Sequence, residues 1–119
     1  LGFAGVHPTL MGRGAGPASE KALKMAGLSA QEIDYWEINE AFCVVALHCI
    51  QELGIDPDRV NVMGGGTAIG HPLGASGCRL VGTLARILDV KDARYGCANA
   101  CCGGGQGVAT VIEREDYDW

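Results

Sequence analysis

Apolar residues along the chain switch between a period of two and a period near 3.6, and glycine or proline marks most of the changes. Leu1 to Val6 reads as the end of a strand entering a loop. Pro17 suits the first turn of a helix, where a missing N–H costs nothing; Ala18 to Ala26 continue that helix, and Gly27 stops it. Ser29 and Glu32 have capping-box spacing. Ile33 to Ile38 alternates and is rich in aromatics, which predicts a strand. Asn39 then stands where an N-cap belongs. Glu40 to Leu53 predicts a helix that is apolar on almost every side, and therefore buried. Gly54 ends it, and Asp56-Pro57-Asp58 forms a turn. Val60 to Met63 predicts a short strand, and Ala75 to Leu88 a third helix whose first turns carry only small residues. Ala93 to Cys101 and Gln106 to Glu113 predict two strands around Gly103-Gly104-Gly105. The order βαβαβαββ predicts an α/β fold. Its sheet is mixed and five-stranded, largely parallel with an antiparallel last strand, and helices lie on both faces.

At 119 residues the chain fits a single domain, residues 1–119, large enough to bury a core without a disulfide or metal. Its net charge of −5 and lack of a basic run argue against nucleic acid. The one charge run, Glu113 to Asp118, reads as a solvated acidic tail. No apolar run approaches the roughly 18 residues of a membrane span, and no signal peptide is present. A first residue of Leu1 rather than Met fits a fragment, a processed chain or an excised piece. None of the six cysteines forms a Cys-x-x-Cys pair, so zinc-ribbon and thioredoxin readings fail and no metal site is expected. Four of the six sit in apolar or helical settings and read as buried reduced thiols, which points to a reducing compartment. The 19 glycines cluster at 64–77 and 103–107, as tight turns or backbone close to a ligand would require.

Three segments carry candidate chemistry, each just beyond a strand end, where open α/β sheets form sites. In Asn39-Glu40-Ala41-Phe42, the Asn39 amide reads both as an N-cap and as a polar group facing a cleft; its oxygen and NH₂ can serve different partners. In Gly70-His71-Pro72-Leu73-Gly74-Ala75-Ser76-Gly77, a histidine ahead of a helix N-terminus favours the neutral imidazole, which can donate to an oxyanion; an ordinary turn histidine is the plainer reading. Gly65 to Gly70 has Walker spacing, but His71 occupies the lysine position, and no Gly-x-Gly-x-x-Gly register occurs. In Cys101-Cys102-Gly103-Gly104-Gly105-Gln106-Gly107, an accessible thiol can exchange protons near neutrality and the glycine turn can offer backbone N–H groups; two structural thiols are the alternative.

In this order and spacing, Asn-Glu-Ala-Phe, Gly-His-Pro-Leu-Gly-Ala-Ser-Gly and Cys-x-Gly-Gly-Gly-x-Gly resemble the signature set of the thiolase family, across essentially the whole chain. Met11-Gly12 to Ala18 resembles the family's loop before its first helix, with Ala15-Gly16-Pro17 in place of the usual Pro-x-Pro. The resemblance implies a thiolase C-terminal domain that transfers acyl groups between coenzyme A thioesters, by Claisen condensation or by thiolysis of 3-ketoacyl-CoA. It implies Cys101 as the acid/base, rather than Cys102, whose position is commonly aliphatic. His71 is the donor in one oxyanion hole, with Asn39 holding the water that completes it, and the Gly103 N–H contributes to a second. Asn39 beside His71 fits thiolases better than the related ketoacyl synthases, where a second histidine is usual.

The resemblance further implies an acyl-CoA substrate with no tightly bound cofactor, and an N-terminal half that supplies the nucleophilic cysteine and has no counterpart here. The 119 residues alone are accordingly expected to be inactive. The small residues Gly74 to Cys78 resemble the surface that meets the other half, so an apolar face prone to self-association is expected without it. The full-length protein is expected to be a homo-oligomer in the cytoplasm, or in mitochondria or peroxisomes if eukaryotic. The competing reading is a non-catalytic interaction module on the same fold; retention of Asn39, His71 and Cys101 together favours the enzyme.

Overall fold

The computed structural model describes residues 1–115. Four strands form one mixed sheet: β1 (Gly2–Gly5), β2 (Tyr35–Ile38), β3 (Tyr95–Cys102) and β4 (Gln106–Glu113), in the order β1-β4-β3-β2. β2 and β3 pair in parallel, and β4 is antiparallel to both β3 and β1, so β1, β2 and β3 point one way and β4 the other. The sheet is thus largely parallel with an antiparallel last strand, as expected, although that strand inserts between the first and the third.

The expected fifth strand is reduced to a single bridge from Val60 to Trp36. The next residue, Asn61, turns into the left-handed region at φ 49° and ends any ladder. Its side chain then does what strand backbone would have done. Asn61 Oδ1 accepts from the Ile38 N–H at 2.8 Å, Asn61 Nδ2 donates to the Ile38 carbonyl at 2.9 Å, and the Asn61 N–H donates to the Trp36 carbonyl at 2.9 Å. One asparagine thus satisfies the open edge of β2.

Helices cover both faces, as expected. On one side lie α1 (Ala15–Ala26) and α2 (Cys43–Leu53). Helix α1 buries a face of small residues, Ala15, Gly16, Ala18, Ser19 and Ala22, and so lies close on the sheet. A Cβ on Gly2 would meet the α1 backbone at Ala18 and Ala22. Gly27 and Gly54 end the two helices in the left-handed conformation at φ 71° and 62°. The Ser29–Glu32 capping box is present, around a 3₁₀ turn at Ala30–Glu32. On the other face, α4 (Leu73–Val90) packs Leu80 and Leu84 on Ala98, Tyr35 and Ala100. A four-residue helix, α3 (Gly66–Ile69), precedes it.

Four further expectations change. Helix α2 begins at Cys43 with Phe42 at its N-cap, so Asn39 caps nothing and Glu40 lies outside the first turn. Nor is α2 buried all round: Val45, Cys49 and Leu53, one stripe at i, i+4 and i+8, face the core, while Phe42, Val44 and Leu47 are exposed. Of the cysteines, Cys43 and Cys78 are exposed rather than buried, and all six are free. Glu113 is the last residue of β4, paired with Arg94 at 2.6 Å, rather than part of a solvated tail; Asp116 to Asp118 lie outside the described residues. No helix among the described residues is long and apolar enough to cross a membrane.

Beneath α4 sits a charge with few compensations. Glu37 is fully buried on β2, both of its oxygens lack hydrogen bonds, and its nearest cation is Arg79 Nη1 at 3.8 Å. Burial pushes its carboxyl up to about 7, against the pull of Arg79 and with a further push from Glu40. This folded value exceeds the 4.5 of the open chain, so the folded state holds more protons between those two pH values. Stability should be greatest below about 4.5 on this account and fall as pH rises through about 7, by up to a few kcal/mol. Melting curves against pH check this: Glu37→Gln should flatten the decline and melt higher than the parent at pH 8. Parallel curves for the two proteins would refute the assignment.

Candidate active site

The site is built where β2 and β3 end together. Ile38 is in register with Asn99, and the Asn39 N–H donates to the Asn99 carbonyl at 2.9 Å, which carries the parallel ladder one residue past β2. Asn39 is held at that edge at 1% exposure. Its Nδ2 lies 3.4 Å from His71 Nε2, while its Oδ1 is buried without a partner. A buried amide oxygen left open is uncommon enough in a folded protein to mark a site that a ligand or a water completes.

Glu40 does work that the sequence did not advertise. Its Oε2 accepts from the Thr67 N–H at 2.9 Å, at the start of α3, and its Oε1 accepts from Asn61 Nδ2 at 2.7 Å. Gly65 leaves room for the carboxylate, since a Cβ there would meet it at 2.6 Å. Burial pushes the Glu40 carboxyl up, but the hydrogen bonds from Thr67 and Asn61 prevail and hold it below the usual carboxylate range. The charge thereby staples the 64–70 loop to the end of β2. That loop leads through Gly70, at φ 88°, into half-buried His71. His71 Nδ1 lies 2.5 Å from Ser76 Oγ in the first turn of α4.

Cys101 is next to last on β3, paired with Gly107 across β4, at 7% exposure. It stands two residues beyond Asn99, at the rim that carries Asn39. Burial pushes its thiol above the ordinary range, with Cys102 adding to the effect and a hydrogen bond from its own backbone opposing it. On the same face, burial raises Cys49 and Cys97 to about 12, which marks them as inert thiols in the core. Asn99 Nδ2 donates to Ser19 Oγ at 2.8 Å and so ties α1 to β3 beneath the site. The turn after Cys102 places Gly103 in solvent, with Gly104 and Gly105 at φ 83° and 90°.

The structure thus joins Asn39 and His71 directly, and sheet register brings Cys101 to the same edge. Sequence reasoning missed Asn61, Thr67 and Ser76, and gave Glu40 a different place. The signals were thin: an asparagine ahead of glycines, and a serine in a helix turn otherwise made of small residues. No group of three or more His, Cys, Asp or Glu residues among those described could hold a metal.

An amide and an imidazole thus meet, with a thiol at the same edge, on a mixed sheet flanked by helices. A family model described as the thiolase C-terminal domain matches residues 1–114, and the chain belongs to the thiolase family. It is 49% identical over 117 residues to the 3-ketoacyl-CoA thiolase of Vibrio vulnificus (strain YJ016), covering 96% of this chain and 30% of that protein. The same figures hold for the 3-ketoacyl-CoA thiolase of Enterobacter sp. (strain 638). That of Vibrio parahaemolyticus serotype O3:K6 (strain RIMD 2210633) is 48% identical over the same length. The chain spans about 30% of the length of the curated relatives it matches.

Proposed function

We propose that this chain is the C-terminal catalytic part of a thiolase that transfers acyl groups between coenzyme A thioesters; its relatives bear the name 3-ketoacyl-CoA thiolase. The observation that carries the reading is the meeting of Asn39 and His71 at 3.4 Å, at the sheet edge that also bears Cys101. In condensation, the Cys101 thiolate takes a proton from the α-carbon of the acceptor thioester. The charge that moves onto the thioester oxygen is met by the His71 Nε2–H and by a water held by Asn39. The carbanion then attacks an acyl group carried on a cysteine from the N-terminal half, near the Gly103 N–H. In thiolysis the same proton returns from Cys101 to carbon. The substrate is an exchanging acyl-CoA, and no tightly bound cofactor or metal takes part.

The exposed apolar residues Phe42 at the N-cap of α2, Val44 and Leu47 on α2, and Leu73 and Val81 on α4 are suited to cover by the other half of the protein and by further copies of it. The working form is a homo-oligomer of full-length chains in a reducing compartment, the bacterial cytoplasm or its mitochondrial or peroxisomal counterpart.

Because two-step acyl transfer needs a nucleophile, the 119 residues alone should give no thiolysis of acetoacetyl-CoA above background, whereas a full-length protein containing them should turn over. Thioester absorbance measures both. His71→Ala in the full-length protein should lower turnover by about 10² to 10³. Turnover by the 119 residues alone, or an unaffected His71→Ala enzyme, would overturn the proposal.

A further inference from the structure

Behind His71 stands Ser76, a polar residue 3% exposed in the first turn of α4. Its Oγ is 2.5 Å from His71 Nδ1 and 3.2 Å from the Pro72 carbonyl oxygen. A hydroxyl has one proton to donate, so it serves one of these acceptors at a time. A neutral imidazole also has one proton, and the partner of one ring nitrogen decides which nitrogen bears it.

The two choices present different faces to the rim. When Ser76 donates to Pro72, Nδ1–H donates to Ser76 Oγ, and Nε2 is a lone pair that can only accept, here from Asn39 Nδ2–H. No imidazole proton then points at the rim. When Ser76 donates to Nδ1, the proton sits on Nε2 and projects at the rim. The Asn39 amide, on turning over, meets it with the oxygen that otherwise has no partner. The shorter contact to Nδ1 favours the second arrangement, since an O–H donor sits closer to its acceptor than an N–H donor does.

We propose that Ser76 is a positioning residue: its hydroxyl donates to His71 Nδ1 and so keeps the ring proton on Nε2, the nitrogen beside Asn39. The catalytic consequence rests on the thiolase reading; the proton assignment does not. ¹⁵N spectra of histidine-labelled protein test it, with the His71 signals identified by their loss in His71→Gln. In the parent, Nε2 should carry the directly bonded proton, and Nδ1 should show the shift of an acceptor that receives a hydrogen bond. Ser76→Ala should move Nδ1 toward an unpartnered acceptor and let the Nδ1–H form appear, while Ser76→Thr, which keeps the hydroxyl, should restore the parent pattern. In the full-length enzyme, Ser76→Ala should lower kcat by about tenfold, the worth of one hydrogen bond, with KM within about twofold. A parent protein protonated on Nδ1, or Ser76→Ala spectra identical to the parent's, would overturn the proposal. An enzyme with the expected spectra and no thiolysis even in the parent would instead count against the thiolase reading alone.

Discussion

Cys101→Ala in the full-length protein should cut acyl transfer by about a thousandfold, the scale of losing a positioned acid/base, and leave folding nearly intact. The side chain lost is small and 7% exposed on a strand whose neighbours are unchanged, so the melting temperature should move by only a few degrees. This separates chemistry from packing. Cys101→Ser should not rescue, because a hydroxyl is far too weak an acid to work as a thiolate does. The pH profile gives a second test. Burial raises the Cys101 thiol, so its protonated form dominates at neutral pH. Condensation, which uses the thiolate, should therefore quicken as pH rises past neutrality. Thiolysis, which uses the thiol as acid, should hold level through neutrality and decline only once the thiol ionises. Wild-type turnover in Cys101→Ala, or the same pH slope in both directions, would remove Cys101 from the reaction.

How much of this was legible beforehand depends on the range of the interaction that decides each feature. Features set by neighbours in sequence were readable. Gly27 and Gly54 end their helices left-handed, Ser29 and Glu32 cap reciprocally, and β4 runs over Gln106–Glu113 as its alternation predicts. Features set by a side chain reaching across the fold were not. The stretch from Val60 has strand composition, yet the Asn61 side chain takes over the edge of β2 from 23 positions away. Asn39 has the residue type and place of an N-cap, but Glu40 is drawn to Thr67, and the helix starts later. Helix α2 fails differently. A sequence apolar on all sides cannot reveal which face its own chain will cover, and here the Val45–Cys49–Leu53 stripe is buried, with Ala46 and Ile50 half-buried beside it. Asn39 and Cys101 were legible because they lie at the ends of β2 and β3, and His71 because glycine and proline frame it, although the strand expected before it is only a bridge. The contacts that hold them, Glu40 to Thr67 and Asn61 and His71 to Ser76, were not, because nothing in local periodicity encodes them.

The same distinction predicts the largest single loss of stability. Gly107 has an ordinary backbone conformation, so no turn demands glycine there. Its reason is space: a Cβ on Gly107 would overlap the carbonyl of Gly14, and one on Gly14 would overlap the carbonyl of Gln106. The approach to α1 and the start of β4 thus touch backbone to backbone, directly across from Cys101 in the sheet. Since the obstructing atoms are main chain, no rotamer change relieves the clash; either β4 or the start of α1 must shift. Gly107→Ala should cost about 3 kcal/mol or more, a large part of a typical domain's margin of about 5 to 15 kcal/mol, and lower the melting temperature by roughly ten degrees. Gly82→Ala in α4 serves as the opposite control. Nothing lies within 4 Å of the added Cβ there, so relief of glycine's helix penalty should stabilise the chain by about 0.5 to 1 kcal/mol. Calorimetry of the two variants measures both signs. A Gly107→Ala protein that melts with the parent would mean that the two backbones do not touch, and the seat of Cys101 against α1 would have to be redrawn.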